Sequence, residues 1–214
     1  DNVLISKFIG LATVGVYSNY TLIINGLTSV LNQGFNAVIS SFGSLGVSSS
    51  REHQESIFFD YLYVVSMITY VIASTFFSLV QPFVSFWFGK ELLFSNWVVL
   101  LVVVNFIFTQ LRQATLGFIS ALGLFWPMRY KAIVEATLNL VLSLLFIWKF
   151  AMGVPGVLLG TLCSTLLVNI WWEPLVLFKY GFKTRMLRYF SNYCKYLAVI
   201  LTTQILIYEY GQIL

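Results

Sequence analysis

From Trp97 to Trp148 the chain runs for two membrane-crossing lengths in which Arg112, Arg129, Lys131 and Glu135 alone are charged, and Arg129 and Lys131 fall beside the turn between them. A helix needs about 20 apolar residues to cross a hydrocarbon core about 30 Å thick. The stretch Asn105–Ser143 therefore reads as a hairpin of two transmembrane helices joined at Leu122–Met128. Lipid offers no hydrogen bonds, so each span must satisfy its own backbone, which apolar runs of this length do as helices. The expected fold is an all-α integral membrane protein, a polytopic helical bundle. Composition agrees, because only 9% of the 214 residues are charged, against about 25% in a soluble domain.

Each arm of the hairpin holds one ionisable group at depth, Arg112 in the first and Glu135 in the second. Such a group costs about 2.5–3.5 kcal/mol on insertion scales, faces a bundle interior or wet cavity, and marks a candidate solute path. At 1.5 Å per residue from the shared turn, Arg112 lies about 15 Å in and Glu135 about 10 Å in. The two side chains are within reach of each other. Glu135 has a second option, Lys131 one helical turn earlier, whereas Arg112 has no local partner.

The chain opens DNVLISKFIG, without an initiator Met or a signal-peptide arrangement, and closes on an apolar run at Ile213–Leu214, so both ends are expected to be cuts in a longer protein. Asp1–Ile9 reads as the end of a helix, Gly10–Gly15 as a turn and Val14–Phe42 as the next span. Along that span Ser18, Asn25, Ser29, Asn32, Asn36 and Ser40 recur at steps of seven, four, three, four and four, which places them on one helix face. Two readings fit that stripe: a hydrated cavity wall, or hydrogen bonding between helices worth about 0.6 kcal/mol per contact.

Gly43–Glu55 reads as an aqueous loop holding the single histidine, His53, and Ser56–Val80 as a returning span closed by Gln81–Pro82. FWFGKELLFSN follows as an aromatic interface segment. After the hairpin, AMGVPG is a tight turn and Val157–Phe178 a further span, with Gly156 and Gly160 spaced for close helix approach. Trp171, Trp172, Glu173 and Pro174 read as interfacial anchors, a charge and a kink near its far end. Lys179, Lys183, Arg185, Arg188 and Lys195 then alternate with aromatic rings, as in an interfacial helix lying on anionic lipid, before a last span begins at Leu197–Tyr208.

Alternating the loops puts Arg51, Arg129, Lys131, Lys179, Lys183, Arg185, Arg188 and Lys195, eight of the twelve basic residues, on one side. By the positive-inside rule that side is cytoplasmic. No phosphate loop, H-E-x-x-H, G-x-S-x-G or paired aqueous carboxylates occur, so no enzyme, cofactor or metal site is expected. Cys163 and Cys194 lack neighbours at metal-ligand spacing. One basic aromatic strip between spans is poor support for nucleic-acid binding.

The segments DNVLISKFIG and VGVYSNY, SSFGSLG, FWFGKELL, RQATLGFISALGLFWPMRY, IVEATLNLVLSLL and GVPGVLLGT resemble, in order and spacing over nearly the whole chain, the polysaccharide transporters or oligosaccharide-lipid flippases of the multidrug/oligosaccharidyl-lipid/polysaccharide exporter superfamily. The resemblance implies a longer protein of fourteen helices in two six-helix lobes plus two accessory helices. On that mapping residues 1–178 are the second lobe, with its first helix truncated and five further spans, and residues 179–214 are a basic interfacial segment and the first accessory helix. It implies a multi-pass protein of the bacterial cytoplasmic (inner) membrane that flips a polyprenyl-pyrophosphate-linked oligosaccharide by alternating access, for capsule, O-antigen or exopolysaccharide synthesis.

The implied partners are that lipid-linked cargo, anionic lipids at Lys179, Lys183, Arg185 and Arg188, and the first lobe of the same protein. The expected substrate path is Arg112 for the anionic headgroup, Asn25, Asn32, Asn36 and Asn139 for sugar hydroxyls, and Glu135 and Asp1 as acidic members. A cation-coupled multidrug antiporter of the same superfamily, or a non-transporting helical scaffold, are the competing expectations.

Overall fold

A computed structural model describes residues 2–46 and 50–213. Helix accounts for 89% of it, with no strand among the described residues. Helix α1 (Asn2–Phe8) turns at Gly10 into α2 (Leu11–Gly46), which is followed by α3 (Arg51–Trp87), α4 (Asn96–Ala121) and α5 (Lys131–Trp148). The chain continues as α6 (Val154–Ser164), a π-helical stretch Thr165–Asn169, α7 (Ile170–Val176), a second π-helical stretch Leu177–Phe182, and α8 (Leu187–Ile213). Five helical segments are long and apolar enough to cross a membrane: Leu11–Ser41, Arg51–Trp87, Asn96–Ala121, Trp126–Trp148 and Val154–Phe182.

Helix α4 is the centre of the bundle, with 72% of its apolar window buried against 11% for α2 and for the α5 span. One run explains it: Val98 to Val103 are all buried, so α4 is apolar around its whole circumference over these turns. The loop expected at Gly43–Glu55 is shorter than its polarity suggests. Helix α2 runs on to Gly46, and the Ser50 side chain caps α3 by accepting from the His53 backbone N–H. His53 is therefore an exposed residue of the first turn of α3.

Pro82 does not end α3, which continues to Trp87 and stops before Gly89, whose φ of 99° suits glycine. A proline removes one helical N–H, and in a membrane helix neighbouring groups make good the loss. Here Gln81 beside it is tied to the next segment: its amide donates to the Phe94 carbonyl at 2.6 Å, and its carbonyl accepts from the Tyr20 hydroxyl at 2.9 Å. The same Tyr20 oxygen accepts from the Phe94 N–H at 3.0 Å, which joins α2, α3 and the turn before α4.

The other end of the bundle is closed by rings. Phe58 contacts Phe118 at 5.2 Å, Phe182 at 5.5 Å and Phe178 at 5.8 Å between centroids, and Tyr189 at 6.0 Å. These five are buried and draw α3, α4, the second π stretch and α8 together. On α5 and α6 the close approach is made by small residues. A Cβ added at Gly160 would lie 2.7 Å from the Ser143 backbone N, so Gly160 is where the two helices touch. The polar face of α3 is used in packing on α8, where Gln204 donates to the Ser74 hydroxyl at 3.0 Å and Tyr63 meets Tyr196. Helix α8 runs unbroken from Leu187, so of the basic strip only Arg188 and Lys195 belong to the last helix, while Lys179 lies in the second π stretch and Lys183 and Arg185 in the turn between.

Candidate functional site

Arg112 on α4 does not stand alone in the bundle. Its Nε donates to both carboxylate oxygens of Glu173 on α7, at 3.2 and 3.1 Å, and its Nη2 donates to Oε1 at 2.6 Å. Lys131, the first residue of α5, reaches the same Oε1 at 2.8 Å and Glu135 Oε2 at 2.7 Å. Glu135 Oε1 lies 3.5 Å from Arg112 Nη1. Two cations and two carboxylates thus form a closed, electrically neutral quartet that joins α4, α5 and α7.

Local structure places each member. Lys131 and Glu135 are one turn apart on α5 and form an i,i+4 pair. Asn169 and Glu173 are likewise four apart, at the end of the first π stretch and in α7, and so share a face. The Asn169 amide donates to Glu135 Oε1 at 2.5 Å, fixing the carboxylate from the side opposite Lys131. Trp172 pins the same helix by donating from its indole to the Pro127 carbonyl at 3.1 Å. The wide turns before and after α7, with Pro174 between them, set its facing by a winding that a 3.6-residue count does not follow.

The four groups differ in burial. The Glu173 side chain is 1% exposed and Lys131 9%, whereas Arg112 is 15% and Glu135 28% exposed. Burying ions costs several kcal/mol each, recovered only when every charge is paired and hydrogen-bonded. Glu173, fully enclosed, receives both cations. Glu135 is the member through which the quartet opens outward. Helix α8 adds two phenols nearby: Tyr189 lies 3.4 Å from the Thr115 hydroxyl, and the Tyr193 hydroxyl is buried without a partner among the described residues.

Of the path residues expected from sequence, Arg112 and Glu135 meet here. Asn139 lies further along α5 and joins helices, donating to Thr161 Oγ1 at 3.0 Å and Ser164 Oγ at 3.5 Å on α6. Asn25, Asn32 and Asn36 belong to α2 and stand apart from the quartet. Asn25 and Asn36 are exposed, and Asn32 keeps a buried carbonyl oxygen without a partner among the described residues. Asn25 also lines a polar cavity of about 390 Å³ with Asn2, Tyr17 and Thr21. Asp1 falls outside the described residues.

Arg112 meets Glu135, within the reach that the depth count gives, but pairs more closely elsewhere. Its partner is remote in sequence, Glu173, which the aromatic and proline neighbours made look like an interface charge. The structure moves it inward: the helical run extends to Phe182, so Glu173 lies nine residues, about 14 Å, inside its end, and a carboxylate at such depth calls for a cation. Gln110 is a second omission. It is fully buried and donates to the Thr28 hydroxyl at 3.2 Å, joining α4 to α2. Comparison with protein-family models, curated proteins and solved structures returns no match for this chain.

Proposed function

We propose that the chain is the second lobe of a membrane transporter that flips a lipid-linked oligosaccharide across the bacterial cytoplasmic membrane by alternating access. The observation that carries this reading is the neutral quartet with one half-open member. A pyrophosphate headgroup that displaced Glu135 would exchange one carboxylate partner of Arg112 and Lys131 for another anion. Glu135, at 28% exposure, is the carboxylate with room to move aside, and both cations keep Glu173 meanwhile. The guanidinium fork also matches phosphate oxygens in two-point geometry.

The open face of α2 supports the same reading. Asn25, Ser29, Asn36 and Ser40 are exposed, so this stripe is not used up in packing within the chain. Amide and hydroxyl groups on an open face suit sugar hydroxyls in a wet cleft between lobes. The polyprenyl tail stays in lipid, and an apolar groove of about 430 Å³ between α2 and α3 lies beside the stripe-bearing helix.

In a strain whose polymer export depends on the full-length protein, Arg112→Ala abolishes export while the protein remains in the membrane. Intact export overturns the assignment. Glu173 favours a second reading, the cation-coupled multidrug antiporter, since it is a carboxylate buried to 1%. Drug efflux from a sensitised host, lost on Glu173→Gln, is the outcome that selects it.

A further inference from the structure

The cations expected to lie together on anionic lipid separate into two groups. Arg188 turns away and stacks on the Phe59 ring of α3, its guanidinium carbon 4.4 Å from the centroid. Lys179, Lys183 and Arg185 instead line a cleft of about 730 Å³ at the junction of the second π stretch and α8. Its floor is apolar, formed by Phe178, Met186 and Phe190. Three cations around an apolar floor are chemically two-faced, suited to a ligand whose anionic head continues into hydrocarbon.

Two further observations point to a ligand. Thr184 belongs to the cleft lining, and its hydroxyl oxygen is buried without a partner among the described residues. Lys183 holds φ 60°, a left-handed conformation that disfavours a non-glycine residue. Glycine would relieve that strain, and lysine supplies a charge to the cleft. The backbone reversal is set by the Thr184 N–H donating to the Phe178 carbonyl at 3.2 Å. The first backbone N–H groups of α8 begin at the same place, and an unpaired helix start favours an anion.

We infer that this cleft is a binding site for the headgroup of an anionic phospholipid, with the phosphate held by Lys179, Lys183, Arg185 and the Thr184 hydroxyl and the glycerol-proximal chain on the Phe178–Phe190 floor. The site belongs to the end of the bundle that carries most of the basic residues. It is independent of what the protein transports. Each cation beside an anionic surface is worth about 1 kcal/mol, a factor of about five in affinity.

The test is spin-labelled lipid association with the full-length protein reconstituted in phosphatidylcholine vesicles, comparing labelled phosphatidylglycerol with labelled phosphatidylcholine. Wild type prefers the anionic label. Lys179→Gln combined with Arg185→Gln lowers the preference about tenfold or more, and Arg188→Gln leaves it within about twofold. Leu187→Trp, which fills the cleft mouth without changing charge, also removes the preference and serves where the double variant fails to assemble. Equal loss on Arg188→Gln, or a preference that survives Leu187→Trp, overturns the site in favour of diffuse surface charge. Displacement of the label by inorganic phosphate at the same concentration overturns the lipid as occupant in favour of a free anion.

Discussion

Removing Glu173 alone and removing it together with Arg112 have opposite consequences for the neutrality of the quartet. Glu173→Gln keeps the shape of the side chain but leaves Arg112 and Lys131 sharing Glu135, with an excess positive charge in the bundle. A unit pair about 4 Å apart attracts by about 4 kcal/mol at an effective dielectric of 20, and breaking a buried pair costs about 3–5 kcal/mol. Because Glu135 remains for both cations, the low end applies, about 3 kcal/mol. Arg112→Met is the mirror case and costs about the same, since Glu173 keeps only Lys131.

The double variant restores neutrality. Lys131 and Glu135 remain paired at 2.7 Å, and an apolar stem occupies the place of the guanidinium. Replacing a buried ion pair by apolar groups of similar volume is often neutral, and the amide carbonyl introduced at position 173 keeps Lys131 as its donor. The double variant should therefore lie within about 1 kcal/mol of wild type, well above either single variant. The measurement is reversible unfolding of the full-length protein in mixed micelles, read by circular dichroism across all four members of the cycle. Single effects that add to within about 0.5 kcal/mol would show that the two residues act independently, and would refute the closed quartet.

Two further substitutions test the frame that holds it. Gly160→Leu drives a side chain into Ser143 and separates α5 from α6, with a stability loss of about 1–3 kcal/mol from overpacking; Gly26→Leu, where a Cβ meets nothing within 4 Å, is the control, and equal losses would discount the contact. A cysteine at Asn36 should react with a membrane-impermeant maleimide in the reconstituted full-length protein, because that face of α2 is open. Protection of Asn36→Cys, with reaction at an outer-loop cysteine, would mean that the stripe is covered by dry packing.

The five spans, the central hairpin and the Gly156–Gly160 approach are legible because each follows from local spacing: an apolar run, a turn, or small residues four apart. Arg112 and Glu135 were placed at compatible depths by counting rise from a shared turn, and they lie 3.5 Å apart. What could not be read depends on the remote pairing of helices. Glu173 sits between Trp172 and Pro174, residues that also mark interfaces, and only the continuation of helix through Leu177–Phe182 moves it inward. The two π stretches add a winding that sequence periodicity cannot supply. Pro82 misleads in the opposite way: α3 continues through it to Trp87, because a proline removes one backbone hydrogen bond, a loss that membrane helices tolerate.

The junctions of the bundle differ in what they would lose on moving. At α5 and α6 the Gly160 contact is backbone against backbone, and a shift there forfeits dispersion that lipid replaces only after the helices part. At the ring cluster, displacing Phe58 disturbs Phe118, Phe178, Phe182 and Tyr189 together. At the junction of α4, α5 and α7 the contacts are charges with a choice of partners: Lys131 already serves two carboxylates, and Arg112 touches both. A cation that leaves Glu135 keeps Glu173, so rearrangement passes through states in which no ion is stranded. Of the three, the charged junction is the one that can change partners at least cost, and it is also where Glu135 reaches the surface. A group that arrives with its own negative charge therefore acts on the most yielding contact in the bundle.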